Sequence, residues 1–196
     1  MEKLPNIRKI AVLKATALGD YLAATPALYA LRAAYPDAEI TYLGRPLHRA
    51  LIEGRPSAVD RVIEVPISRG VRLEPSDPDR PEDPAELAAF FHTLQAEHFD
   101  LAVQMHGGGQ NSNPFAIGMK TPDAPELDRW IPYVLYQQEF MRLLELMALV
   151  GAQPTIHEPL FCVVPRDHAD LRAALPELHA PYVVIHAGAS DGRRRW

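Results

Sequence analysis

The stretch ATALGDYLAATPAL, residues 15–28, follows directly on the apolar run KIAVLK at residues 9–14. An apolar strand that passes through a short glycine turn into an amphipathic helix is typical of the first unit of a parallel α/β sheet. The residue after Gly19 is an acid, Asp20, although a turn of this kind usually presents its backbone N–H groups to a phosphate. The role of Asp20 therefore decides which kind of site forms at this strand end.

Short apolar runs alternate with helical patterns along the rest of the chain, which predicts a parallel sheet covered by helices. The predicted strands are 9–14, 39–44, 60–66 and 99–106, and the predicted helices are 20–34, 46–54, 85–98 and 137–151. Pro26 lies inside the first helical pattern and predicts a bend or a later helix start. The stretches 66–84 and 107–135 are rich in loop-forming residues, and a long loop of this kind is often functional.

Beyond residue 151 the pattern begins a second unit. Residues 158–165 are expected to form a strand or linker, 167–175 a helix, and 181–190 a buried strand that enters a glycine loop. A strand and loop without a crossover helix do not complete a βαβ element. We therefore expect residues 1–164 to form one Rossmann-like domain, and residues 165–196 to be a linker and the first strand and loop of an incomplete second domain.

The composition narrows the class of protein. A chain of 196 residues with 47% hydrophobic and 23% charged residues can bury a core. A net charge of -5, with GRRRW at residues 192–196 as the only locally basic stretch, disfavours nucleic-acid binding. Cys162 is the only cysteine, so an internal disulfide is excluded and a buried, inert thiol is expected. The sequence has no apolar stretch long enough for a membrane span and no signal-peptide pattern, so a cytoplasmic location is expected.

Common catalytic motifs are missing from the sequence. There is no P-loop and no G-x-G-x-x-G after the first strand. The HGGG at residues 106–109 is similar to an esterase oxyanion loop, which is a weak signal by itself. The eight histidines lack an H-E-x-x-H spacing, so no metal site is predicted.

Three positions remain as candidates, each with two interpretations. Asp20 can cap the helix, which stabilises by about 0.5 to 2 kcal/mol, or accept a proton from an attacking hydroxyl at the carboxyl edge of the sheet. His106 can bond local backbone or contact a sugar or phosphate. The stretch HAGASDGRRRW, residues 186–196, can be a basic tail or a diphosphate site that uses backbone N–H groups and the Arg193–Arg195 guanidinium groups.

Three segments of the chain resemble the family 9 glycosyltransferases, which include the ADP-heptose:lipopolysaccharide heptosyltransferases. They are residues 17–44, 98–116 and 181–196. The first carries the family's G-D-x-x-x-x-x-P-A-L pattern at Gly19, Asp20, Pro26, Ala27 and Leu28. The resemblance implies a GT-B architecture, in which an N-terminal Rossmann-like domain binds the acceptor and a second one, here incomplete, binds the nucleotide sugar.

The resemblance also implies roles for individual residues. Asp20 would be the general base of an inverting transfer that requires no metal and no cofactor. The expected acceptor contacts are Gly19, His106, Gly107 and Asn111, and the expected contacts to the donor phosphates are Gly188, Ala189, Ser190 and Arg194. Arg194 stands where the family usually has a lysine, which keeps the charge but changes its geometry from a point to a fork. Gln104 and His106 stand where heptosyltransferases often have an acid and a glutamine.

The implied reaction moves a sugar, heptose by the resemblance, from a nucleotide-diphosphate donor such as ADP-heptose to a lipopolysaccharide-core or related glycolipid acceptor. The implied location is the cytoplasm, at the inner face of the cytoplasmic membrane and in peripheral contact with it. The alternative is a non-catalytic Rossmann-like domain that binds a glycan or a partner protein.

Overall fold

Four parallel strands form a single sheet in the computed structural model, which describes residues 1–73, 77, 79–118, 128–178 and 181–185. The strands are β1 Lys9–Leu13, β2 Glu39–Gly44, β3 Arg61–Glu64 and β4 Leu101–Gln104. Their order in the sheet is β3-β2-β1-β4, and Ile10 of β1 lies opposite Ile40 of β2 and Leu101 of β4. The four predicted strands and their parallel arrangement are therefore confirmed, with β3 and β4 shorter than predicted.

Six helices accompany the sheet within the described ranges. They are α1 Leu18–Ala34, α2 Pro46–Ile52, α3 Pro84–Ala96, α4 Ser112–Gly118, α5 Glu139–Ala148 and α6 Pro165–Ala174. The expectation of a later start for the first helix is wrong, because α1 begins at Leu18 and continues through a buried Pro26. Helix α4 lies in the stretch predicted to be irregular. Phe115 and Ala116 bury one side of this short helix, so tertiary packing outweighs its Asn- and Pro-containing sequence.

The two faces of the sheet are covered by separate apolar clusters. Along β1, Ile10 and Val12 face the cluster built with α1 and α5, while Ala11 and Leu13 face the cluster that contains Leu43, Leu94 and Phe115. Successive side chains of a strand point to opposite faces. A strand that is buried on both faces has a continuous apolar sequence, which is why KIAVLK shows no alternation.

The contacts divide the chain into two compact units, Met1–Cys162 and Val163–Trp196. In the second unit the strand predicted over 181–190 is not formed in its described part, 181–185, where Val183 and Ile185 are each 85% exposed. A strand needs a partner strand for its backbone hydrogen bonds, and no strand is described in this unit. The predicted domain boundary between residues 164 and 165 stays a prediction. The same holds for the expectation that the first domain binds the acceptor and the second binds the nucleotide sugar.

Two further expectations can be compared with the described residues. Cys162 is partly exposed, so the expectation of a buried thiol is wrong. Among the described helices, none combines the length and the apolar character that crossing a bilayer requires.

Tyr35 ties three distant parts of the first unit together. Its hydroxyl accepts a hydrogen bond from the Leu4 N–H at 2.9 Å and donates one to the Val150 carbonyl at 2.6 Å. These two bonds connect the N-terminal segment and the turn after α5 to the end of α1.

We expect Tyr35→Phe to lower the free energy of unfolding by about 1–3 kcal/mol, because a buried carbonyl loses its donor and an N–H loses its acceptor while the shape is kept. Chemical denaturation monitored by circular dichroism measures this change. Tyr136→Phe is the matched control, since Tyr136 is fully exposed and should give an unchanged value. Equal stability of the two variants would contradict the structural role of the Tyr35 hydroxyl.

Candidate functional site

The candidate site lies where β1 and β4 end side by side at the carboxyl edge of the sheet. Strand β1 leads into α1 through residues 14–17, and β4 leads into α4 through residues 105–111. Ligands of open parallel sheets usually bind at this edge, because its loops diverge from adjacent strands.

Asp20 is the third residue of α1 and is exposed. Its carboxylate accepts a hydrogen bond at 3.3 Å from the backbone N–H of Ala17, the N-cap residue of α1. The alanine side chain offers no acceptor, so Asp20 satisfies a donor at the helix start that would otherwise lack one. The capping interpretation of Asp20 is therefore confirmed. Because the carboxylate remains exposed, the cap does not prevent contact with a ligand, and the catalytic role stays a prediction.

The ring of His106 bridges two loops. Its Nδ1 accepts a hydrogen bond from the Ala15 N–H at 3.1 Å, and the ring also makes a hydrogen bond to the Gly70 backbone. Since Nδ1 is an acceptor, the neutral ring carries its proton on Nε2. His106 thus bonds backbone, but that of Ala15 and Gly70 in two other loops rather than its own, and its contact with a ligand stays a prediction.

The surroundings of His106 keep its ring neutral. Burial lowers the pKa of His106, and the positive charge of Lys14 lowers it further. The hydrogen bond to Gly70 and the negative charge of Asp20 act in the opposite direction without cancelling the decrease. His106 and Asp20 are therefore close enough for the charge of one to affect the other, and the lowered pKa of His106 favours the neutral imidazole.

Lys14 is a member of this site that sequence reasoning did not identify. Its side chain is 1% exposed, and its ammonium group donates to the Met105 carbonyl at 3.1 Å and to Glu139 Oε1 at 2.9 Å. Glu139 in turn accepts a hydrogen bond from Arg142. The one available signal was a lysine at the end of an otherwise apolar run, and a buried lysine needs a charged partner.

The carboxylate of Glu139 is held in its charged form. Burial raises the pKa of Glu139, but the hydrogen bonds and positive charges of Lys14 and Arg142 lower it more, so the net shift is downward. Arg142 also donates to the Val134 carbonyl at 2.6 Å, and its guanidinium lies 3.8 Å from the centre of the Tyr133 ring. The charges thus form a chain from the end of β1 to the segment before α5.

A tyrosine supports the start of this loop from the neighbouring strand. The hydroxyl of Tyr42, a fully buried residue of β2, donates to the Lys14 carbonyl at 2.8 Å. Tyr42 also packs edge-on against Tyr21, with ring centres 5.8 Å apart. Tyr21 directly follows Asp20, so Tyr42 of β2 contacts both the loop after β1 and the first turns of α1.

The predicted acceptor contacts lie at this edge. Gly19 and Gly107 are exposed, and a Cβ added to either would meet no atom within 4 Å. The side chain of Asn111 lies against Gly70, where a Cβ would collide with it. Because Gly70 also bonds His106, Asn111 belongs to the same loop cluster. The predicted phosphate contacts Gly188, Ala189, Ser190 and Arg194 lie outside the described residues.

A cavity of about 400 Å³, which sequence reasoning did not find, lies along β4 beside the glycine loop Gly107–Gly109. Its charged and amide lining residues are Gln104, Asn113, Asp128, Arg129, Glu139 and Arg142. Its size falls in the range of small-molecule sites. Among the described residues there is no cluster of three or more side chains that could hold a metal ion.

Solved structures similar to this chain are family 9 glycosyltransferases, as the sequence resemblance predicts. A family 9 glycosyltransferase from Veillonella parvula aligns with the whole chain and 58% of its own length, at 17% identity and a TM-score of 0.74. The Escherichia coli heptosyltransferase WaaC with ADP-2-deoxy-2-fluoro heptose aligns over 76% of this chain and 51% of its own, at 22% identity and a TM-score of 0.51.

The Escherichia coli ADP-heptose lipopolysaccharide heptosyltransferase II aligns over 88% of this chain and 51% of its own, at 16% identity and a TM-score of 0.54. No protein-family model and no curated protein sequence matches the chain. The chain therefore has a parallel, Rossmann-like α/β fold, and this is the fold found in family 9 glycosyltransferases of the GT-B type. It spans 51–58% of the length of these structures.

The charges around His106 predict opposite pKa changes in two variants. Lys14→Met removes a positive charge and should raise the pKa of His106 toward 6.5, whereas Asp20→Asn removes a negative charge and should lower it. Titration of the histidine Cε1–H signals by NMR measures both changes, and His106→Gln assigns the signal. Shifts of the same sign in the two variants would contradict the described arrangement.

Proposed function

We propose that this chain is part of an inverting glycosyltransferase, in which Asp20 is the general base that activates the acceptor hydroxyl. The observation that carries the proposal is an exposed carboxylate beside a neutral histidine, at the carboxyl edge of a fold found in family 9 glycosyltransferases. An ionised carboxylate can accept a proton, and a neutral imidazole does not compete for it as an ion-pair partner.

In the proposed reaction the acceptor oxygen attacks the anomeric carbon of the donor sugar as its proton passes to Asp20. The new C–O bond forms while the bond from the anomeric carbon to the diphosphate breaks on the opposite face, so the configuration inverts. Negative charge accumulates on the departing diphosphate. Backbone N–H groups of Gly188, Ala189 and Ser190 and the Arg194 guanidinium are proposed to stabilise that charge.

The proposed substrates follow from the similar proteins. WaaC is described with an ADP-heptose analogue, and the second Escherichia coli protein is an ADP-heptose lipopolysaccharide heptosyltransferase. We therefore propose a nucleotide-diphosphate sugar, ADP-heptose first, as the donor and a lipopolysaccharide-core or related glycolipid as the acceptor. The acceptor would bind residues 1–164, at Gly19, His106, Gly107 and Asn111, in the cytoplasm at the inner face of the membrane.

Asp20→Asn is the sharpest test of the base. The asparagine carbonyl can still accept the Ala17 N–H and keep the helix cap, but it cannot take up a proton. In the full-length protein, transfer from ADP-heptose to a heptose-free core acceptor should fall by about a hundredfold or more, the usual contribution of general base catalysis. ADP binding, measured as a thermal shift, should be unchanged.

Asp37→Asn provides the matched control, because Asp37 is an exposed aspartate in the turn after α1. Its turnover should equal that of the wild type. Undiminished turnover in Asp20→Asn would overturn the base assignment. Absence of transfer by the wild-type protein with any nucleotide sugar, together with retained glycan binding, would favour the non-catalytic glycan-binding domain instead.

A further inference from the structure

The cavity along β4 has both polar and apolar groups in its lining. The carboxyl end of β4 contributes Gln104, whose amide donates to Asn113 at 2.7 Å, and the start of α5 contributes Glu139 and Arg142. Two further charged residues, Asp128 and Arg129, also line it. The rest of the described lining is mainly apolar and includes Leu101, Val103, Leu143, Leu146 and Val150. A ligand that fits therefore combines hydroxyl or similar polar groups with an apolar face.

Two aromatic side chains lie in the wall of this cavity. Trp130 is 69% exposed and Tyr133 is 44% exposed. The ring of Tyr133 has the Arg142 guanidinium 3.8 Å from its centre, and its Cγ lies 3.6 Å from the place a Cβ would take at Gly108. The ring is therefore held by a cation–π contact and packs close to Gly108, while 44% of Tyr133 stays exposed and accessible to a ligand.

The charged groups around Arg142 explain how the partly exposed ring of Tyr133 is kept in place. Arg142 is itself fixed by Glu139 and by the Val134 carbonyl, and Glu139 is fixed by the buried ammonium of Lys14. Preorganised aromatic surfaces bind ligands better, because less side-chain freedom is lost on binding. Lys14 and Arg142 are thus positioning residues for Tyr133.

We infer that this cavity is a saccharide-binding subsite in which a sugar ring of the acceptor stacks on Tyr133 and hydrogen-bonds Gln104 and Asn113. A pyranose ring presents axial C–H bonds on one face and hydroxyls at its edge, which matches an aromatic surface beside side-chain amides. The inference rests on the proposed function for the identity of the ligand as the acceptor. Met105 and Gly107, on either side of His106, line the cavity, so it adjoins the loop in which the acceptor contacts His106 and Gly107 are proposed.

The first measurement is binding of the purified chain to an array of bacterial core oligosaccharides. The wild type should bind at least one of them, and Tyr133→Ala should weaken that binding by about tenfold or more, the usual effect of removing an aromatic stacking partner. Tyr133→Phe keeps the ring and should restore the binding. Tyr136→Ala is the matched control, because Tyr136 belongs to the same segment, is fully exposed and does not line the cavity.

The second measurement uses Trp130 as a reporter within the cavity wall. Titration of the strongest-binding oligosaccharide should change the tryptophan emission saturably, and Trp130→Phe should remove the change, since the sequence has only two tryptophans. Circular dichroism of each variant verifies that it is folded.

Failure to bind any oligosaccharide, or equal affinity of Tyr133→Ala and the wild type, would overturn the inference. The result is separable from the proposed function, because binding does not require the transfer step. Normal oligosaccharide binding by Asp20→Asn without transfer supports both proposals. If oligosaccharide binding depends on Tyr133 but the wild-type protein transfers no sugar, the result supports the saccharide-binding subsite. The same result overturns the proposal that the protein is a glycosyltransferase.

Discussion

The ammonium group of Lys14 is the charge on which the carboxyl edge of the sheet depends. It lies at the end of the central strand β1 and is almost fully buried, so its desolvation must be offset by close partners. The Met105 carbonyl fixes the end of β4 and Glu139 fixes the start of α5. One buried cation thus sets the relative positions of three elements, and removal of a partner from a buried ion pair typically costs about 3–5 kcal/mol.

The start of α1 combines a stabilising helix cap with an exposed surface beside Gly19. At the start of α1, the N-cap residue Ala17 has no side chain that accepts a hydrogen bond, and the capping interaction comes from Asp20 one turn later. With the cap at the third helical position, the space beside Gly19 stays open while the carboxylate remains at the edge of the sheet.

The sequence predicted the parts of the fold that depend on local pattern. Apolar runs located all four strands, and their alternation with helices predicted the parallel sheet. Helix α4 was missed because its stability comes from burial of Phe115 rather than from its own sequence. The strand predicted over 181–190 is not formed in its described part for a different reason, since an apolar run forms a strand only where another strand pairs with it.

Asp20 could be identified from the sequence, because a carboxylate able to accept a proton and the G-D-x-x-x-x-x-P-A-L pattern lie in the same short stretch. Lys14 was not predictable in the same way, because its partners Met105 and Glu139 lie 91 and 125 residues further along the chain. Tyr133 is a similar case, since its significance depends on Arg142 and Gly108, which only the fold brings beside it.

The neutral state of His106 links the buried charge to the chemistry proposed for Asp20. A protonated imidazole at this place would be an ion-pair partner for the carboxylate and would compete with an acceptor hydroxyl. Burial and the Lys14 ammonium both disfavour that protonation, and they outweigh the opposing charge of Asp20. The same ammonium that joins β1, β4 and α5 therefore also favours the neutral imidazole on which the proposed role of Asp20 depends. A single buried lysine thus links the packing of the sheet edge to the chemistry proposed there.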